Sequence, residues 1–185
     1  MAHPDGEEVD LGRKIANVVA VLLVGGLGGY WLHRPAPAAP AGPAGADTSV
    51  ARGAYLAQLG GCDDCHTPPL PDGKPDLSRR FSGYPAGAAL PPDVPGVVTN
   101  LNLAWRGPWG LSETRNITPD PVNGIGSWTR EQFIQAMRTA VNPAGRAIQP
   151  PMPAVNFGRL TDADLTALYN FLRTVKPSSN AVVGP

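Results

Sequence analysis

The chain has 185 residues, and its 15 basic and 15 acidic side chains cancel at neutral pH. That balance argues against a polyanion-binding protein, so no nucleic-acid partner is expected. With 22 glycines, 22 prolines and only two cysteines, the composition favours loops and turns and excludes a disulfide-rich scaffold.

In chain order, residues 1–14 form an acidic segment that ends in Arg13 and Lys14. Between Lys14 and His33 runs IANVVAVLLVGGLGGYWL, eighteen residues without a charge. As a helix rising about 1.5 Å per residue it reaches roughly 27 Å, enough to cross a bilayer core. Tyr30 and Trp31 sit at one end, where amphipathic rings prefer the lipid–water boundary. Residues 15–33 are therefore expected to be a transmembrane anchor. Arg13 and Lys14 before it, against Arg34 after it, orient residues 1–14 to the cytoplasm. A cleaved signal peptide, with its site in APAAPAGPAGA, is the competing reading, and both send the rest of the chain out of the cytoplasm. Gly25 and Gly29 make a GxxxG pattern that admits a second membrane helix.

Residues 34–46 are rich in Pro, Ala and Gly and have no periodicity. As polyproline II at about 3.1 Å per residue, the twelve residues 35–46 make a tether of roughly 37 Å. A globular domain is expected over 47–177, with a tail at 178–185.

Three helical signals mark the domain. In TSVARGAYLAQLGG, Thr48 or Ser49 caps, Tyr55, Leu56 and Leu59 share a face, and Gly60–Gly61 end the helix. In WTREQF, Thr129 and Gln132 form a capping box and Trp128 and Phe133 occupy staple positions, with Ile134, Met137 and Val141 continuing the buried side. In LTDADL, Thr161 caps, Asp164 closes a box, and Leu165, Leu168, Tyr169 and Leu172 form an apolar stripe that Pro177 ends. Residues 68–127, which hold half of the prolines, read as mostly loop without credible strand pairs. The expected fold class is mainly α, three to four helices and long loops. So small a core calls for something at its centre.

Cys62 and Cys65 stand in CDDCH, followed at once by His66. C-x-x-C-H is the attachment signature of c-type haem. Two thiols three residues apart can add to the two vinyl groups on neighbouring edges of a porphyrin, and the adjoining imidazole can bind the iron from one face. The alternatives are weaker in context. A thioredoxin-like pair belongs beside a βαβ pattern, a zinc site needs four ligands, and a disulfide closing so short a loop constrains little. The cofactor expected is one covalent haem c, with Cys62 and Cys65 as thioethers and His66 as proximal ligand.

The remaining histidines, His3 and His33, lie before the domain, so the distal ligand is sought among methionines. Met137 falls on the apolar side of its helix, where methionine is usually core filler. Met152 sits in QPPMPAVNF, held extended by Pro150, Pro151 and Pro153, which aims its thioether at little entropic cost. Met152 is the expected distal ligand. His/Met ligation raises the reduction potential and fills both axial positions, which suits electron transfer.

CxxCH after an N-terminal helix, a methionine in a proline-flanked loop and a closing C-terminal helix resemble class I c-type cytochromes over roughly residues 48–177. The stretches NITPDPVNGIGSWTREQFIQAMR and PPMPAVNFGRLTDADLTALYNFL resemble more narrowly the haem domains in cytochrome subunits of bacterial alcohol, aldehyde and gluconate dehydrogenases. The resemblance implies the class I cytochrome c fold, with first and last helices crossing near Gly53, Tyr55, Tyr169 and Phe171. It also implies the same four haem-binding residues, Cys62, Cys65, His66 and Met152. Those subunits usually carry several haem domains, whereas one CxxCH is present here.

The function expected is a membrane-tethered electron carrier, not an enzyme, on the periplasmic face of a bacterial inner membrane. Its partner is a membrane redox complex: a quinol-oxidising complex, an oxidase, a reaction centre or a dehydrogenase. The alternatives are a haem-based gas sensor with a displaceable Met152 and a haem subunit of a periplasmic dehydrogenase. Arg106, Arg115, Trp109 and Trp128 are weaker candidates as donors to the haem carboxylates.

Overall fold

The computed structural model describes residues 46–94 and 96–182. The segment 1–14, the expected anchor at 15–33 and nearly all of the 34–46 tether lie outside the described residues. Among the described residues, no helix is long and apolar enough to cross a membrane. The domain is partly helical, with five helices and a small sheet.

The first helix, α1 (Val50–Leu59), starts where Ser49 accepts a hydrogen bond from the Arg52 N–H and stops at Gly60. Gly61 then adopts a left-handed turn at φ 64°, which a residue without a β-carbon enters freely. The chain starts again at once as the short helix α2 (Cys62–His66). After a 3₁₀ turn at Leu77–Arg79 and the sheet come α3 (Arg130–Thr139), α4 (Ala154–Phe157) and α5 (Asp162–Leu172).

Helix α3 carries the full capping box that WTREQF predicts: Thr129 accepts from the Gln132 N–H, and the Gln132 side chain accepts from the Thr129 N–H. Thr129→Ala removes one arm and is expected to cost about 1 kcal/mol. A lowered denaturation midpoint, with an unchanged denaturant slope, checks it. At α5, Thr161 accepts from the Asp164 N–H, but the Asp164 carboxylate does not close the box. Its Oδ2 accepts from the Thr161 hydroxyl at 3.1 Å, while its Oδ1 accepts from Arg52 Nε of α1 at 2.9 Å, tying the two helices where they meet.

Helices α1 and α5 pack face to face. The side of α1 turned inward is Gly53, Leu56 and Ala57, while Tyr55 and Leu59 of the expected apolar face are 54% and 70% exposed. The cause is Gly53: α5 comes so near that a β-carbon there would lie 2.0 Å from the Ala167 carbonyl oxygen. The core beneath joins Ala57 to Phe133, Met137, Leu165, Leu168 and Phe171. Phe81 meets Phe171 edge to face, with ring centroids 6.1 Å apart. Tyr169 donates its hydroxyl to the Trp128 carbonyl at 2.9 Å, and so joins α5 to the start of α3.

The loop expected over 68–127 contains an antiparallel meander, a correction to the mainly α reading. Strands β1 (Val98–Asn100), β2 (Ala104–Gly107) and β3 (Gly110–Glu113) pair in sequence order, with Thr99 opposite Trp105 and Trp105 opposite Ser112. Each is three or four residues long, too short for an alternating pattern to show. Burial comes from a separate small cluster of Tyr84, Leu103 and Ala104.

Candidate functional site

The C-x-x-C-H spacing becomes geometry in α2. On a helical turn, positions i, i+3 and i+4 share a face, so Cys62, Cys65 and His66 project to one side. Asp63 flanks this face rather than opposing it and has partners of its own. Its carboxylate accepts from Arg80 Nε at 2.8 Å and Nη2 at 2.5 Å, and from the Thr67 hydroxyl at 2.8 Å. The Thr67 hydroxyl in turn accepts from the Phe81 N–H at 3.1 Å, and the Arg80 guanidinium lies over the rings of Phe81 and Phe171. Phe81 is held at φ 60°, a left-handed conformation costly for an aromatic residue, and its backbone is fixed at both ends by Thr67 and Ile117. The attachment turn thus rests on a locked floor.

Burial pushes the Asp63 carboxyl up, but the hydrogen bonds from Arg80 and Thr67 more than offset this and hold it below the usual carboxylate range. A depressed folded value means the stabilisation is present above the unfolded carboxylate pKa of about 3.9 and lost as pH falls through the lower folded value. Asp63→Asn is therefore expected to be less stable than the parent at pH 7. The gap between them should narrow as pH falls below the unfolded carboxylate value of about 3.9, measured by urea denaturation at pH 7 and in acid. A gap that stays constant between the two would remove the role given to the ion pair.

Cys62 and Cys65 are both unpaired and half-buried. Burial, with Asp63 second, pushes the Cys62 thiol up to about 11. Burial and the Asp64 charge also push Cys65 up. Both are neutral thiols at pH 7 rather than the low-pKa thiolates of a redox pair. His66 Nδ1 lies 2.8 Å from the Arg115 carbonyl oxygen. A carbonyl can only accept, so Nδ1 carries the proton and Nε2 keeps the lone pair that a metal takes. Burial lowers the His66 pKa, against the Arg115 carbonyl and Asp63, which act the other way. The ring is thus neutral and oriented.

Met152 is half-buried and follows the Pro150–Pro151 pair. Its N–H donates to the Gln149 carbonyl, and its own carbonyl accepts from Ala154 at the start of α4. Met152 and Cys62 pack against the same apolar cluster, whereas Met137 is 8% exposed within that cluster. Trp128 belongs to the cluster's edge and Arg106 faces Pro91 and Asp93. Arg115 donates to the Val182 carbonyl at 2.8 Å. The indole N–H groups of Trp105 and Trp109 are buried without an acceptor. Both rings lie on one side of the hairpin, because Trp109 folds back over Gly107, two residues along the strand from Trp105.

These residues fit a covalent haem: two neutral thiols and an oriented imidazole on one face, an apolar floor, and a thioether at the same cluster. Residues invisible to the motif are Thr67, Arg80 and Phe81, which brace the turn, and Asn116 and Asn180, whose amides hold the surrounding loops. Only the sequence's clustering of polar side chains near loops hints at them.

Two thiols and a nitrogen-ready histidine in this arrangement define the class of c-type cytochromes. The comparisons agree: the chain is a homologue of cytochrome c subunits of bacterial dehydrogenases and of a diheme c-type cytochrome. It is 30% identical over 169 residues to the diheme c-type cytochrome of Cereibacter sphaeroides, matching 91% of this chain and 50% of that one. It is 34% identical over 129 residues to the cytochrome c subunit of the quinone alcohol dehydrogenase of Gluconobacter oxydans, matching 69% of this chain and 22% of that one. The fructose dehydrogenase cytochrome subunit of Gluconobacter japonicus is 32% identical over 145 residues, 78% of this chain and 25% of that one. The chain thus spans half the length of the first relative and about a quarter of the others. No family model matches the sequence.

Proposed function

We propose that this chain is an electron-transfer module of the class I cytochrome c fold, carrying one haem c. Cys62 and Cys65 are the thioether donors, His66 the proximal ligand and Met152 the distal ligand. The observation that carries the reading is the α2 turn, with Cys62, Cys65 and His66 on one face and His66 Nδ1 already committed to the Arg115 carbonyl. When bound, the haem supplies a one-electron Fe(III)/Fe(II) couple. The chain's own residues would hold it and exclude water: the thiols of Cys62 and Cys65 would fix its position, Nε2 of His66 would bind the metal, and Met152 at the edge of the apolar cluster would supply the second ligand. A module with both axial positions filled exchanges electrons and is not a catalyst.

The close crossing of α1 and α5 at Gly53 supports the class I arrangement. The uncharged run at 15–33 and the Pro/Ala/Gly tether at 34–46 support an anchored haem domain over 47–177, facing the periplasm. The names of the relatives support a dehydrogenase among its partners. A tethered carrier meets such a partner at raised effective concentration and needs no strong charge steering.

The test is an optical spectrum of the purified full chain, oxidised and reduced. The parent should give a sharp c-type α-band on reduction, and Cys62→Ala with Cys65→Ala should lose covalent haem. A parent without haem would falsify the assignment of CDDCH.

A further inference from the structure

The tail after Pro177 is not a loose end. Residues 178–182 have no regular structure, yet they are strapped across two loops by side-chain amides. Asn180 Nδ2 donates to the carbonyls of Ser82 at 2.7 Å and Tyr84 at 2.8 Å, while its Oδ1 accepts from the Ala86 N–H at 3.0 Å. Buried Asn116 donates to the carbonyls of Ser178 at 2.7 Å and Asn180 at 3.1 Å, and its Oδ1 accepts from the N–H and hydroxyl of Thr118. The Ser178 N–H donates to the Thr118 hydroxyl at 3.0 Å, and Arg115 Nη1 donates to the Val182 carbonyl at 2.8 Å.

What the strap grips is the backbone that orients His66. The Arg115 carbonyl accepts from His66 Nδ1, and both Arg115 and its neighbour Asn116 are tied to the tail. From the other side this backbone is pressed by Gly83, where a β-carbon would lie 2.5 Å from the Thr114 carbonyl oxygen and 2.6 Å from the Arg115 carbonyl carbon. The Gly83 N–H donates to the His66 carbonyl at 2.9 Å, and Asn180 holds the residues flanking Gly83. Asn180 therefore holds the Gly83 side through its amide and meets the Arg115–Asn116 side through its own carbonyl, which accepts from Asn116.

We infer that the C-terminal strap is a positioning device for His66, with Asn180 and Asn116 setting how firmly the Arg115 carbonyl accepts the imidazole N–H. This rests on the haem reading above. A firm Nδ1–H···O=C bond makes the ligand more basic and favours Fe(III), because electron density pushed through Nε2 stabilises the higher charge. Loosening the strap removes that push and moves the couple toward Fe(II).

The experiment is a redox titration of the full-length holoprotein as Asn180→Ala and as Asn180→Asp, which keeps an acceptor for Ala86 but loses both donors. Thr129→Ala, which loosens α3 at its far cap, serves as the comparison. Both Asn180 variants are expected to shift the equilibrium toward Fe(II) by roughly threefold, which at 59 mV per decade is about 28 mV upward. The His66 Nδ1 proton, followed by NMR in the reduced state, should exchange about tenfold faster, as a loosened local unit does. Thr129→Ala should move neither. Variants that carry haem c with unchanged potential and exchange overturn the strap alone, as does a Thr129→Ala shift of equal size. A parent without haem overturns the haem reading and the strap together.

Discussion

Gly53→Val should strongly destabilise the domain, and Gly53→Ala should already destabilise it. Two effects oppose each other at this position. Glycine inside a helix costs about 1 kcal/mol relative to alanine, so propensity alone predicts that Gly53→Ala stabilises α1. Packing predicts the reverse. A β-carbon at 53 would stand 2.0 Å from the Ala167 carbonyl oxygen and 2.6 Å from the Phe171 β-carbon, and backbone cannot swing aside as a flexible side chain can. Overpacking of this kind costs roughly 1–3 kcal/mol and more when backbone must move. For valine, with two further carbons at the crossing, about 3 kcal/mol or more is expected against a total stability of about 5–15 kcal/mol. Arg52, bound to Asp164 one residue away, cannot follow α1 outward without breaking that pair. Denaturation curves for both variants decide the matter. A Gly53→Ala protein as stable as the parent would show that propensity outweighs the crossing, and that the two helices have room to part.

Local signals in the sequence were legible where the physics is local. Capping at Thr129 and Thr161, the stripe Leu165–Leu168–Leu172 and the break at Gly60–Gly61 depend on residues within one or two turns of each other, and all are found. The C-x-x-C-H spacing is local in the same way, and α2 puts its three side chains on one face. What stayed hidden depends on distant partners. Asp164 reads as a box-closing acid, yet Arg52, 112 residues away, takes its carboxylate. Phe81 reads as one more loop aromatic, yet Thr67 and Ile117 pin it in a left-handed conformation under the attachment turn. Tyr55 and Leu59 read as core, and only the approach of α5 to Gly53 rotates burial toward Leu56 and Ala57. The meander at 98–113 gave no signal, because its three- and four-residue strands pack on a cluster of three buried residues rather than on the main core.

Met152→His should lower the midpoint potential of the holoprotein by about 0.2 V, a fraction of the roughly 0.8 V over which axial ligands set haem potentials. Thioether sulfur is a soft, weak donor that favours Fe(II), whereas a second imidazole donates more strongly and favours Fe(III). At 59 mV per decade such a change is a factor of more than about 10³ in the electron-transfer equilibrium, so a relay built around His66 and Met152 would run backwards with most partners. Met152→Ala should instead leave the α-band in place but abolish the weak far-red band of a methionine–Fe(III) bond, and it should let added imidazole bind. Met137 is the competing thioether, and its position separates the two cases. It lies in the cluster with Phe133 and Leu168, so Met137→Ala opens a cavity and should cost about 2–5 kcal/mol of stability without touching the far-red band. Met152 is half-buried at the cluster's edge, and its truncation should cost far less stability while removing the band. If the band survives Met152→Ala and disappears in Met137→Ala, the distal ligand is Met137, and the proline-gripped loop is only a connection between α3 and α4.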